Sequence, residues 1–230
     1  MKVSNTEIQD LYCFTRKHFV EHYDLQTELV DHLANDIEMM WEENPHLSFE
    51  EAKNRAFKKF GVFGFMDAIS SSQKAMSKRY RAYLWQELKQ WFQIPQFAIT
   101  LLIFIGFIVV FKLPYPVYLL MGIYLCLSAW VTVKTMMLKR KFENRVKLTK
   151  KKWLLEDMIF NQSGAIALLS VVHIFNLREL VGYFLDNSFG VLVMALCFTL
   201  LVLLSYISIV VLPKKAEKLL TDTYPEFKIV

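Results

Sequence analysis

The sequence predicts an all-α fold in which a helical head precedes a bundle of four transmembrane helices. The 230 residues are 54% hydrophobic with a mean hydropathy of +0.28, yet 27 lysines and arginines and 22 acidic residues separate the apolar runs. Only 7 glycines and 6 prolines are present, which is little turn chemistry for a β-rich, dinucleotide-binding or P-loop fold. The three cysteines are too few and too scattered for a disulfide framework or a zinc site.

Four apolar stretches are candidate membrane spans, each near the ~20 residues that a helix needs to cross a bilayer. The predicted spans are about 96–113, 115–138, 158–177 and 189–212, which together form a transmembrane domain at 96–212. The short link 112–116 makes the first two spans a hairpin. The remaining segments are a head at 1–75, a basic juxtamembrane helix at 76–95 and a tail at 213–230.

Basic residues near the ends of the spans predict the orientation. Lysines and arginines number five before the first span, one in the first loop, eight in the second, one in the third and four after the last. Cytoplasmic loops carry the excess of basic residues in membrane proteins. We therefore expect both termini in the cytoplasm.

Helical periodicity in the head predicts a buried stripe on each of its first three helices. The first stripe, in a predicted helix at 5–22, comprises Ile8, Leu11, Tyr12, Thr15 and Phe19. The second, at 25–43, comprises Leu25, Leu29, Leu33, Ile37, Met40 and Trp41. The third comprises Phe49, Ala52, Ala56, Phe57 and Phe60, and a fourth helix is predicted from residue 63 toward the membrane.

Local signals mark the ends of these helices. Asn44 and Pro45 stop the second helix, because proline disfavours the helical conformation in the residue before it. Ser48 and Glu51 have the spacing of a capping box, in which each side chain bonds the backbone amide of the other residue. Gly61 stands where a left-handed residue would end the third helix.

Residues 77–92 interleave aromatic and leucine side chains with four basic residues that we predict to face lipid. These are Lys78, Arg79, Arg81 and Lys89. A basic amphipathic stretch before a span is typical of a helix that lies among the lipid headgroups. The alternative is a straight extension of the first span into the cytoplasm.

Charge is polarised along the head. Residues 1–51 carry 3 basic and 12 acidic side chains, whereas 52–95 carry 9 basic and 2 acidic. An acidic surface does not bind nucleic acid, since that affinity comes mainly from neutralising phosphates, but it could meet a basic protein. The candidate partner-binding residues are Asp31, His32, Asp36, Glu38, Glu42 and Glu43. The alternative is that these side chains simply keep helix surfaces in water.

A series of short motifs at about 20–70 resembles the HAAS domain and the related helical domains that precede bacterial permease subunits. The motifs are Glu28-Leu29-Val30-Asp31-His32-Leu33, then Leu47-Ser48-Phe49-Glu50-Glu51-Ala52, then Phe60-Gly61. The resemblance implies a cytoplasmic helical head before several spans in a bacterial plasma membrane. It also implies a link to PadR-like transcription regulators. We interpret Asp31-His32 as structural, with His32 bonding across helices, or as a partner contact.

No pattern in the sequence indicates a metal, a cofactor or an enzyme. His18 with His22, and Glu28 with His32, share helix faces at a spacing of four, but no further ligands follow at a matching spacing. No HExxH, GxSxG or Walker motif is present. The polar cluster Asn161-Gln162-Ser163 and His173 lie in the third predicted span, where hydrogen bonding between helices is the simplest role.

These observations predict a non-enzymatic membrane-anchored signalling or regulatory protein, whose head binds a cytoplasmic protein, with no cofactor. The alternative is an accessory or transport subunit of a permease complex, although no acidic residue lies deep in any predicted span. A membrane enzyme acting on lipid is a third interpretation, without a catalytic motif to support it. Self-association and the role of His173 stay open.

Overall fold

The computed structural model describes residues 2–161, 184, 187–224 and 227. All regular secondary structure in these residues is helical, which confirms the all-α prediction. The chain divides into two compact units, Met1–Lys78 with Thr149–Leu154, and Arg79–Leu148 with Leu155–Val230. We refer to the first unit as the head.

Three helices and the start of a fourth form the head: α1 (Asn5–Lys17), α2 (Tyr23–Glu43), α3 (Phe49–Lys58) and α4 (Met66–Gln90). Ser4 caps α1 in a complete capping box with Glu7. Ser48 caps α3 by accepting the amide of Glu51. The carboxylate of Glu51 accepts a hydrogen bond from the Ser48 hydroxyl, so the predicted reciprocal bond to the Ser48 amide is replaced by one between side chains.

The predicted stripes form the core of the head. Its fully buried side chains come from α1, α2, α3 and the turn before α4, and include Leu11, Leu33, Ile37, Ala52, Ala56 and Phe65. Gly61 adopts the predicted left-handed conformation with φ +81°. The prediction for Phe19 is wrong: α1 ends at Lys17, and Phe19 is 84% exposed with φ 64°.

A short connector, Thr149–Leu154, packs with the head although it lies between two later helices in the sequence. The amide of Tyr23 donates to the carbonyl oxygen of Lys152 at 2.7 Å. Asp24 accepts the amide of Leu154 at 3.1 Å, and the buried indole of Trp153 stacks edge-on against Tyr23 at 5.2 Å between ring centres. The connector therefore closes over the beginning of α2.

The second unit contains the apolar helices: α5 (Gln96–Lys112), α6 (Pro116–Thr149), α7 (Leu154–Asn161), α8 (Ser188–Tyr206) and α9 (Leu212–Thr223). A π-helical segment, Ile207–Val211, joins α8 to α9 without a break. α5 packs on α8 through a cluster of phenylalanines, in which Phe198 lies 5.4 Å from Phe107 and 6.2 Å from Phe111.

Two helices in the described ranges are long and apolar enough to cross a membrane, Pro116–Thr149 and Ser188–Thr223. They contain the second and fourth predicted spans. α5 coincides with the first predicted span but has only 17 residues. Most of the third predicted span, with Gln162, Ser163 and His173, lies outside the described residues.

Candidate functional site

The head gathers most of its acidic residues at one end. α1 and α3 begin at the end where α2 finishes, as two contacts show. The Val3 amide donates to Glu38 at 2.9 Å, and Lys53 of α3 reaches Asp10 of α1 at 2.6 Å. We define the acidic end as Glu7, Asp10, Glu38, Glu42, Glu43, Glu50 and Glu51.

Several of these carboxylates have a structural role. Lys53, whose side chain is 7% exposed, pairs with both Asp10 and Glu50 at 2.6 Å. Burial lowers the pKa of Lys53, but the two carboxylates outweigh it and raise the pKa above its usual value. Glu7 and Glu51 complete helix caps. These acids stabilise the fold, so their presence does not by itself indicate a binding site.

Glu42 and Glu43 differ from the others. Both are exposed, and neither forms an ion pair with a described residue. They occupy the last turn of α2, which contains no basic residue. The helix dipole places partial negative charge at a C-terminus, so two carboxylates there are unfavourable by about 0.3–1 kcal/mol each. Helix stability therefore does not explain them.

The other predicted partner-binding residues lie farther along α2. Asp31 and His32 are exposed, whereas Asp36 pairs with Lys59 at 2.8 Å. His32 and Asp36 border a groove of about 260 Å³ whose apolar floor includes Leu29 and Phe60. His32 forms no hydrogen bond with any described residue, so the interpretation of His32 as a bond across helices is wrong.

The boundary between acidic and basic residues differs from the one predicted from sequence order. We expected the acidic part at 1–51 and the basic part at 52–95, but the structure separates charge by the ends of the helices. Arg16 and Lys17 finish α1, and Arg55 and Lys58 finish α3, at the end opposite Glu42 and Glu43. Four members of the acidic end were missed, although alternating helix directions could have located them: Glu7, Asp10, Glu50 and Glu51.

The four predicted lipid-facing residues, Lys78, Arg79, Arg81 and Lys89, are all exposed. Between them, the Tyr80 hydroxyl lies 3.0 Å from that of Ser208, and the Trp91 ring lies 5.5 Å from that of Tyr206. Tyr80 and Trp91 are about 16 Å apart along the chain, at a helical rise of 1.5 Å per residue. Their partners, Ser208 and Tyr206, are only two positions apart. The second half of α4 therefore crosses the stretch that joins α8 to α9.

This crossing bears on the two interpretations of the juxtamembrane stretch. α4 ends at Gln90 and α5 begins at Gln96, so the two are not one straight helix. Glu87 of α4 also pairs with Lys215 of α9 at 2.6 Å. The interpretation as a helix that lies among the lipid headgroups stays a prediction.

A buried ion pair lies in the second unit, just before the third predicted span. The guanidinium of Arg145 in α6 bonds the carboxylate of Glu156 in α7. Glu156 is 2% exposed, and burial raises the pKa of its carboxyl to about 7, against the opposing effect of Arg145. The ring of Phe227 covers the guanidinium at 4.9 Å. This pair joins α6 to α7 and offers no open site.

In the described part of the chain, no three metal-ligating side chains lie close enough together to hold an ion. His18 is engaged otherwise, since its Nδ1 lies 2.9 Å from the carbonyl oxygen of Phe14 and its ring packs on Phe57. Asn161 donates a hydrogen bond to Asp157.

No protein-family model, curated protein or solved structure matches the chain. The function is therefore inferred from the geometry of the site, and the resemblance to the HAAS domain stays a prediction.

Proposed function

We propose that the protein is a multi-pass membrane protein with both termini in the cytoplasm, and that its head recruits a basic cytoplasmic protein through the acidic end. The observation that carries the proposal is the position of Glu42 and Glu43. They are exposed, lack ion pairs among the described residues and stand where the dipole of α2 disfavours them. A residue that costs stability and fills no structural role is best explained by binding.

The membrane part of the proposal is supported by length, composition and charge. Two described helices are long and apolar enough to span a bilayer. The eight basic residues between the second and third predicted spans favour a cytoplasmic location for that loop. The described residues of the head contain no comparable apolar helix. The head belongs on the same side as this loop, because the connector Thr149–Leu154 packs with it.

The resemblance of residues 20–70 to the HAAS domain supports a regulatory role and a PadR-like transcription regulator as the partner. Such a regulator would supply basic side chains of its own to the acidic end. Charge complementarity of this kind acts mainly on the association rate and its salt dependence. The alternative, a subunit of a permease complex, predicts a membrane partner instead.

The test is capture of partners from native membranes by crosslinking and pull-down, with the full chain as bait. The variant is Glu42→Lys with Glu43→Lys, since Glu38 and Asp36 are engaged in contacts within the head. The matched control is Glu217→Lys with Asp222→Lys in α9, which makes the same change in net charge at two exposed positions.

We expect one dominant soluble regulator with the unaltered chain and with the control, and its loss with the Glu42 and Glu43 variant, most clearly at low salt. Capture of a transporter core instead would favour the permease interpretation. Equal loss in the two variants would contradict the role of the acidic end.

A further inference from the structure

The end of the head opposite the acidic end exposes large apolar side chains. Phe19 is 84% exposed, Val62 98%, Phe63 71% and Met66 57%. Phe19 lies in the turn after α1, Val62 and Phe63 lie in the turn between α3 and α4, and Met66 is the first residue of α4. We call these four residues the apolar tip.

The two turns are neighbours because they close over the same aromatic cluster. The ring of His18 lies 4.5 Å from that of Phe57 and 5.9 Å from that of Phe65. Phe65 is buried and lies two positions after the exposed Phe63. Phe19, next to His18, therefore shares one end of the head with them.

The backbone holds these side chains away from the core. Phe19 has φ 64°, a left-handed conformation that phenylalanine rarely adopts. Gly61 and Gly64, which flank Val62 and Phe63, have φ +81° and +54°. The glycines adopt this conformation without strain, whereas a left-handed phenylalanine persists only where the surrounding structure fixes it, and such residues cluster at functional sites. The conformation of Phe19 turns its side chain toward solvent. In water, no burial of apolar surface offsets this strain.

Basic side chains occupy the ends of the two helices that lead into the tip. Arg16, Lys17, Arg55 and Lys58 are exposed in the last turns of α1 and α3. Nearby Lys59 pairs with Asp36, and Glu21 pairs with Lys152 of the connector. Asp67, in the first turn of α4, is an exposed acid on this side. Favourable interaction with the helix dipoles is enough to explain the four basic residues. It does not explain the exposed aromatic residues among them.

We propose that the apolar tip inserts into the headgroup region of an anionic lipid bilayer, with Arg16, Lys17, Arg55 and Lys58 against the lipid phosphates. Aromatic and aliphatic side chains combined with lysine and arginine are the composition of interfacial membrane contacts. The membrane is at high effective concentration, because the head and the apolar helices belong to one chain. This inference rests on the proposed membrane location and is independent of the partner proposed for the acidic end.

The test uses the full chain in lipid nanodiscs, with Cys13, Cys126 and Cys197 replaced by serine. An environment-sensitive fluorophore is attached through Phe63→Cys, and in a matched protein through Glu42→Cys at the acidic end. The discs contain either phosphatidylcholine alone or a mixture with phosphatidylglycerol. Emission wavelength and quenching by lipid-borne or aqueous quenchers report whether each position is in lipid or in water.

In the anionic discs we expect blue-shifted emission and lipid quenching at position 63, and aqueous quenching at position 42. Reversal of Arg16, Lys17 and Lys58 to glutamate should return position 63 to water. The proposal is overturned if position 63 stays in water in the anionic discs, or if its emission shifts only when soluble protein is added. Insertion that is equal in both kinds of disc and indifferent to the charge reversal would overturn the anionic specificity.

Discussion

Lys53 in α3 bonds the carboxylate of Asp10 in α1 at 2.6 Å, although 43 positions separate the two residues in the sequence. The same ammonium group bonds Glu50 at 2.6 Å and lies 5.1 Å from the centre of the Phe49 ring. One buried lysine thus joins α1 to α3 and holds together part of the acidic end.

Replacing Lys53 should therefore destabilise the head. Lys53→Ala leaves Asp10 and Glu50 close together without their shared cation, and we expect a loss of about 1–3 kcal/mol. The measurement is unfolding of the full chain in detergent micelles, followed by proteolysis or circular dichroism. Lys58→Ala, an exposed change in the same helix, should stay within about 0.5 kcal/mol. Equal effects of the two changes would refute the role given to Lys53.

Neutralising Glu42 and Glu43 should instead stabilise the head. Glu42→Gln with Glu43→Gln removes negative charge from the C-terminal turn of α2, and the dipole predicts a gain of roughly 0.3–1 kcal/mol per residue at low salt. The control is Glu50→Gln with Glu51→Gln at the beginning of α3, where negative charge is favourable. This change should lower the stability of the head. If both pairs lower the melting temperature, Glu42 and Glu43 have a structural role that argues against their use in binding.

Helix periodicity was enough to predict the buried faces of the head. Leu29, Leu33 and Ile37 are buried as the 3.6-residue period requires. Phe19 continued the same pattern and still points outward. The chain reverses at that point with a left-handed phenylalanine, a place normally taken by glycine. No local signal in the sequence marks this turn.

The acidic end could be predicted only in part. Glu38, Glu42 and Glu43 were candidates because they share the exposed side of one helix. Asp10 and Glu50 join them through contacts between helices far apart in sequence, and no property of a single helix reveals such contacts. The connector was missed for the same reason, since its partners Tyr23 and Asp24 lie some 130 positions away.

The connector should contribute strongly to the stability of the head. Trp153 is buried against Tyr23, so Trp153→Ala should cost about 3–5 kcal/mol. Limited proteolysis of the full chain should then cleave within residues 2–78 at a lower temperature than before. Leu148→Ala, an exposed position just before the connector, serves as the control. Unchanged protection of the head in the Trp153 variant would mean that the connector does not stabilise it.

Glu156 should make the second unit less stable as pH rises. The pKa of its carboxyl is about 7 in the folded chain, against 4.5 for a glutamate in water. The folded state therefore holds the proton more tightly than the unfolded chain. Stability then falls as pH increases from about 4.5 to 7 and changes no further above that window. Glu156→Gln mimics the protonated carboxyl and should flatten this dependence of the melting temperature.

The control for that measurement is Glu143→Gln, an exposed change in α6 that should leave the pH profile as it is. Identical profiles for the unaltered chain and the Glu156 variant would show that the carboxyl titrates in its ordinary range. A profile of the opposite slope would show that Arg145 outweighs burial.

The cytoplasmic location of the head is the claim on which both proposals depend, and reporter fusions test it directly. Alkaline phosphatase is active only outside the cytoplasm. A fusion after Arg145, in the basic loop, should be inactive, and a fusion after Pro114, in the first short loop, should be active. An active fusion after Arg145 together with an inactive one after Pro114 would place the head on the opposite side of the membrane and contradict the account.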